Sequence, residues 1–249
     1  MLGSFYLLVF MAMTSLNGLA HAWMKMQVGR RLDVSKILEA PQFPAMFPFR
    51  PNDFSREDES NDSAFYQDSR LVTHIDNGAI KALTKYYNDN FKPGNDVLDI
   101  CSSWVSHYPK DLKLGKVAGI GMNQYELKNN KQLTEFKVQD LNTNPILPYA
   151  DNSFDFVTCC VSVDYLIRPL EVFSEVKRVL KKGGSFIVSQ SNRCFPTKAI
   201  NIWLQTNDYE HIFIIGSYFH YAGGYTKLQS LQLQTTEIDP MYIIRASKL

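Results

Sequence analysis

Three side chains in this sequence are of a type able to orient or deprotonate a bound small molecule. His107 lies in a loop reading Cys101-Ser-Ser103-Trp-Val105-Ser-His107-Tyr, and Asp164-Tyr165 form an adjacent pair. Acid–base work needs such a group within hydrogen-bond reach of the proton it moves. Each has a plainer reading too, since a lone loop histidine commonly serves as a hydrogen-bonded structural group. Arg193, next to Asn192, suits pairing with an acidic acceptor or simply a solvated surface. The four cysteines (Cys101, Cys159, Cys160 and Cys194) offer no Cys-x-x-Cys or Cys/His cluster for zinc and are too few for a disulfide framework. Cys159-Cys160 read as core filler.

These residues sit in a chain of 249 residues, 45% hydrophobic and 20% charged, which suits a packed core and excludes a disordered or collagen-like chain. Lys+Arg at 26 against Asp+Glu at 25 gives a net charge of +1, without the basic footprint of a nucleic-acid binder. Residues 1–22 hold a short apolar run from Phe5 to Met13 and end in Ala20-His21-Ala22. The run is too short for a span and reads as a signal peptide. Residues 23–40 form a basic, transit-like segment, with Lys25, Arg30, Arg31 and Lys36 against Asp33. Together they predict a bipartite leader to a plastid; a secreted or endomembrane-lumen protein is the alternative. No later stretch is apolar enough to span a bilayer, so no span is expected in the mature chain.

Residues 41–75, with Pro41, Pro44, Pro48 and Pro51, predict an extended arm whose aromatics Phe43, Phe47, Phe49 and Phe54 lie against the body. From residue 76 to 249 the periodicity alternates. Asp76 caps a predicted helix bearing Ile80, Leu83, Tyr86 and Tyr87, stopped by Pro93-Gly94. Short apolar strands are predicted at 96–100, 117–120, 136–138, 154–161 and 186–189. Between the last two, Pro169 opens an amphipathic helix ended by Gly183-Gly184. Helices are expected over 197–205 and 209–221, the latter stopped by Gly223-Gly224, before two final strands at 228–234 and 241–245. Apolar strands alternating with helices mean a buried parallel sheet, and two consecutive terminal strands make one antiparallel. The expected fold is α/β: a doubly wound, seven-stranded, mostly parallel sheet with an antiparallel C-terminal strand. Ligands of such sheets bind beyond the carboxyl ends of the strands.

Three stretches carry a resemblance: Val97-Leu-Asp-Ile100 with Asp140-Leu141, Leu147-Pro-Tyr-Ala-Asp-Asn-Ser-Phe-Asp-Phe-Val157, and Val172 to Gly184. The chain resembles class I S-adenosylmethionine-dependent methyltransferases of the small-molecule type 11 group, over about 96–192. The resemblance implies a Rossmann-like methyltransferase fold and S-adenosylmethionine as cofactor. It implies that Asp99 holds the cofactor's amino group, that Asp140 bonds the adenine amino group and that Leu141 packs on the ring. Asp164 and Tyr165 fall where acceptors usually meet these proteins. The departures are as informative. The family's first loop normally carries three glycines, yet Cys101, Ser103 and Val105 bring Cβ atoms there, restricting left-handed backbone. The ribose-binding acid ending strand two is replaced by Gly121, with Asn123 two residues on as a substitute ribose ligand or a plain helix cap. The glycine-free loop, with the arm Phe65-Tyr-x-x-x-Arg70-Leu-Val-x-His74-Ile-Asp76, resembles a subgroup from photosynthetic organisms.

Two functions follow. The first is methyl transfer to a small-molecule acceptor, which needs chiefly alignment because the sulfonium is already activated. The second is a catalytically inactive binding or assembly protein that keeps the fold. A nicotinamide-dependent oxidoreductase fits poorly: Gly-x-Gly-x-x-Gly after strand one and an acid ending strand two are absent, and the terminal strand pair is wrong for it. The enzyme reading requires a crevice that Trp104 and Val105 do not plug.

Overall fold

The computed structural model describes residues 33–249. The expected signal peptide and most of the transit-like segment lie outside those residues. Chain order begins with α1 (Val34–Ile37), a 3-10 turn at Pro51–Phe54, α2 (Asp62–Phe65) and α3 (Asn77–Asn90). It continues with β1 (Val97–Ile100), β2 (Val117–Gly121), α4 (Gln124–Asn129), β3 (Glu135–Val138) and β4 (Phe154–Cys160). After a 3-10 turn at Val163–Tyr165 come α5 (Pro169–Val179), β5 (Leu180–Gln190), α6 (Asn201–Leu204), α7 (Asp208–Ala222), β6 (Tyr225–Leu233) and β7 (Met241–Lys248).

The seven strands form one sheet in the order β3-β2-β1-β4-β5-β7-β6. β1 to β5 pair in parallel, and β7 runs antiparallel between β5 and β6, as the two helix-less terminal strands require. Strand order reverses between β1 and β4, which opens a crevice at their carboxyl ends. Both faces are covered, so side chains of one strand alternate between two cores. Phe186 and Val188 of β5 face the core shared with α5 and α7, whereas Ile187 faces the one beneath α3. Along α5 the buried residues Val172, Val176 and Val179 form the inner stripe, each adding about 1.5–3 kcal/mol of apolar burial. Asp76 caps α3 by accepting from the Ala79 N–H at 2.8 Å.

Two predicted boundaries differ. α5 ends at Val179, and Gly183-Gly184 lie inside the longer β5. Pairing with β4 jumps from Leu180 to Ser185 there, and Gly183 takes φ +77°, so the glycines form a bulge and not a helix stop. The helix expected over 197–205 is the single turn α6, because the Ile200 N–H is drawn to the Asp164 carbonyl (2.9 Å) and Ile200 is extended.

Residues 33–75 are built into the body. Val34, Ile37 and Leu38 are buried, and Phe43 packs on Phe213 and His220. Phe47, Phe49 and Phe54 cluster on Tyr218. Further on, the fully buried Lys198 reaches the arm: its Nζ donates to the carbonyls of Asp58 (3.1 Å) and Ser60 (2.7 Å) and pairs with Asp62 (3.1 Å). Arg56 grips both oxygens of Asp62 (2.7 and 2.8 Å).

Candidate functional site

The loop after β1 is organised by Asp99. This carboxylate is 3% exposed and accepts from the hydroxyls of Ser102 and Ser106 on one oxygen, both at 2.7 Å, and of Thr158 on the other at 3.0 Å. Burial pushes it up to about 6, partly offset by those three donors. The loop turns without glycine: Cys101 takes φ +54° and His107 φ +59°. Left-handed backbone costs a residue with a Cβ about 1–2 kcal/mol, a cost the hydroxyl network offsets. Ser103 and Val105 take no such conformation, so the expected restriction falls on Cys101 alone among the three.

The loop lies hard against β2. The Ser102 N–H donates to the Ile120 carbonyl at 2.7 Å, and a Cβ on Gly121 would lie 2.0 Å from the Ser102 oxygen. Gly121 is therefore required by the close approach, and no side chain of any kind fits there. Asn123 does not supply the missing ribose group. Its Oδ1 caps α4 by accepting from Tyr125 and Glu126 N–H groups (2.9 and 3.0 Å), and its amide donates to the Tyr66 and Gln67 carbonyls (2.8 and 3.0 Å). Helix capping and fastening of the arm consume it.

A cavity of about 260 Å³ opens at the carboxyl ends of β1, β2, β3 and β4. Asp99, Cys101, Ser103, His107, Gly121, Asn123, Asp140, Leu141 and Tyr165 all line it. Trp104 and Val105 form part of the wall and do not fill the space. Trp104 is held aside by its indole N–H, which donates to the Val72 carbonyl at 3.0 Å. Asp140 is committed on both oxygens within its own turn, to the Asn142 N–H (2.9 Å) and the Thr143 hydroxyl (2.6 Å).

Asp164 departs from expectation. It is 2% exposed, is not among the lining residues, and its Oδ2 has no hydrogen-bond partner. Burial pushes it up to about 8, so it is a protonated acid behind the wall and not a base facing an acceptor. Tyr165 does face the cavity; its hydroxyl accepts from the Phe195 N–H at 2.7 Å. His107 is lowered to about 4 by burial and stays neutral at pH 7, a weak base. Cys160, expected in the core, also lines the cavity, whereas Cys159 is fully buried.

Sequence reasoning missed an entire wall. Tyr66, Arg70, Val72 and His74 of the arm line the cavity, as does Glu126 of α4. The Arg70 guanidinium stacks over the Phe65 and Phe195 rings at 4.6 and 5.4 Å. The aromatic and basic spacing of 65–74 was the available signal for this wall. Glu126 carried none beyond its place in the first turn of a helix. Among the described residues no cluster suits a metal ion.

Comparison with known proteins finds likenesses over part of the chain. Residues 99–188 match the methyltransferase domain family. Over 111 residues the chain is 31% identical to demethylmenaquinone methyltransferases of Bacillus cereus and Bacillus anthracis, covering 41% of this chain and 47% of each relative. The chain thus spans about half the length of the curated relatives it matches. Among solved structures, a SAM-dependent methyltransferase from Thermotoga maritima superposes with a TM-score of 0.50 at 18% identity, covering 69% of this chain and 90% of that one. The [4+2]-cyclase SpnF also gives 0.50 at 18% identity, over 67% and 80%. These likenesses show that the chain shares its fold with S-adenosylmethionine-dependent methyltransferases, and the family match itself is confined to residues 99–188.

Proposed function

We propose that this protein transfers the methyl group of S-adenosylmethionine to a small, flat, largely apolar acceptor. The observation that carries the reading is that the cavity stays open although its first loop has no glycine. The lining suits this donor. Asp62, Asp99, Glu126 and Asp140 place four carboxylates in it; Asp62 pairs with Arg56 and Lys198, and among the described residues the other three form no ion pair. Carboxylates without an ion-pair partner attract a sulfonium cation locally, in a wall that also carries Arg70 and Arg193. When bound, that cofactor supplies an electrophilic methyl carbon. Asp99 keeps a lone pair on Oδ1 for the donor's amino group, Leu141 offers an apolar face to the adenine, and Asp140 borders it.

The acceptor's side of the cavity is built by Tyr66, His74, Tyr165 and Phe195, whose rings favour a planar guest. The curated relatives are named for demethylmenaquinone, which supports a ring acceptor. His74 and His107 are both lowered by burial, and Asp164 is walled off, so the chain offers alignment more than proton removal. This suits an acceptor that is nucleophilic without a strong base. Mass spectrometry of S-adenosylhomocysteine formation with demethylmenaquinol and simpler quinols tests the reading. Acceptor-dependent turnover is expected; binding of the donor without turnover of any ring acceptor would contradict it. The leader read in residues 1–40 supports a plastid address, tested by the position of a fluorescent fusion that keeps the leader intact.

A further inference from the structure

The structure assigns Glu126 as the carboxylate that receives the vicinal hydroxyls of a bound nucleoside, an assignment that rests on the donor reading above. The end of β2 has no room for a carboxylate, because a Cβ on Gly121 would meet the Ser102 oxygen at 2.0 Å. Asn123 is spent on its cap and on two arm carbonyls. Of the other carboxylates lining the cavity, Asp62 is paired with Arg56 and Lys198, Asp140 bonds within its own turn after β3, and Asp99 is nearly sealed beneath three hydroxyls.

Glu126 is set apart by its position, in the first turn of the helix that follows β2, and not by the number of its bonds. Its Oε1 accepts from the Arg70 N–H and its Oε2 from the Ser103 hydroxyl, each at 2.6 Å, and all three residues line the cavity. Among the described residues it has no cationic partner, so a half-buried negative charge is held in place by two neutral donors. Each carboxylate oxygen retains acceptor capacity after one such bond. Two adjacent oxygens, fixed in orientation, match two adjacent hydroxyls, and little rotamer freedom is lost when they bind. The same two bonds join the arm to the loop after β1, so ligand recognition and closure of the wall meet in one side chain.

The test is calorimetric titration of the full chain with S-adenosylhomocysteine and with its 2′,3′-dideoxy analogue, on wild type, Glu126→Gln and Ser103→Ala. Wild type is expected to bind the parent ligand ten- to a hundredfold more tightly than the dideoxy analogue. Glu126→Gln should lose about that factor for the parent and less than threefold for the analogue. Ser103→Ala, which loosens the carboxylate but keeps it, should weaken the parent ligand by less than Glu126→Gln does and leave the analogue within threefold. An equal loss for both ligands in Glu126→Gln, or no loss, overturns the assignment and leaves only a clamp. If wild type binds neither ligand, the donor reading itself falls and this assignment with it. Thermal melts of the three proteins show whether each remains folded.

Discussion

Gly121 and Asp164 show two ways in which a buried position constrains the cavity. At Gly121 even one methyl group would drive into the Ser102 backbone oxygen, which cannot yield as a flexible side chain does. Gly121→Ala should therefore cost about 3 kcal/mol in urea unfolding and abolish donor binding. Asp164 binds its proton more tightly in the folded chain, at about 8 against an ordinary 3.8, so its ionisation opposes folding. Wild-type stability from this group falls as pH rises from about 4 to about 8 and is level above. Asp164→Asn should gain stability over wild type through that window, by several degrees in Tm at pH 8 and least near pH 4. A Tm difference independent of pH would contradict this account. That Asp99, Asp140 and Leu141 border the cavity was legible from the family resemblance together with the strand ends at which they lie. That Asp164 faces the core was not, since one residue's rotation in the Val163–Tyr165 turn decides it.

The loop after β1 and the arm behave as one unit. Trp104 bonds Val72, Ser103 and Arg70 share Glu126, and Asn123 holds Tyr66 and Gln67. Behind them Lys198, fully buried, ties Asp58, Ser60 and Asp62 to the segment before α6. Lys198→Met leaves buried acceptors without their cation and should cost about 3 kcal/mol. It should also speed proteolysis between residues 56 and 72 and weaken donor binding, whereas unchanged affinity would show that the arm is not part of the site. Periodicity revealed α3 and α5 because each buries a stripe at helical spacing, whereas α7 is buried on all sides from Glu210 to Phe219 and was legible from its length and the Gly223-Gly224 stop. The glycine pair after α5 misled, since Gly183-Gly184 signal a backbone departure without saying whether it is a helix stop or a bulge. The arm's contacts, made with residues far along the chain, have no periodic signature at all.

For the molecule as a whole, strand order explains why one cavity gathers side chains scattered from Asp62 to Phe195. The reversal between β1 and β4 opens the crevice, and the antiparallel β7 lets β6 close the far edge. This topology was readable from the alternation of periods and the paired terminal strands. The roominess of the crevice was not, because it depends on backbone at Cys101 and His107 adopting conformations that their residue types rarely take. The most direct measurement is a crystal structure of the protein soaked with S-adenosylhomocysteine. Ligand density is expected between the Cys101–Ser103 turn and Asp140, with the ribose beside Glu126. A cavity left empty at saturating ligand, or density elsewhere on the molecule, would contradict it.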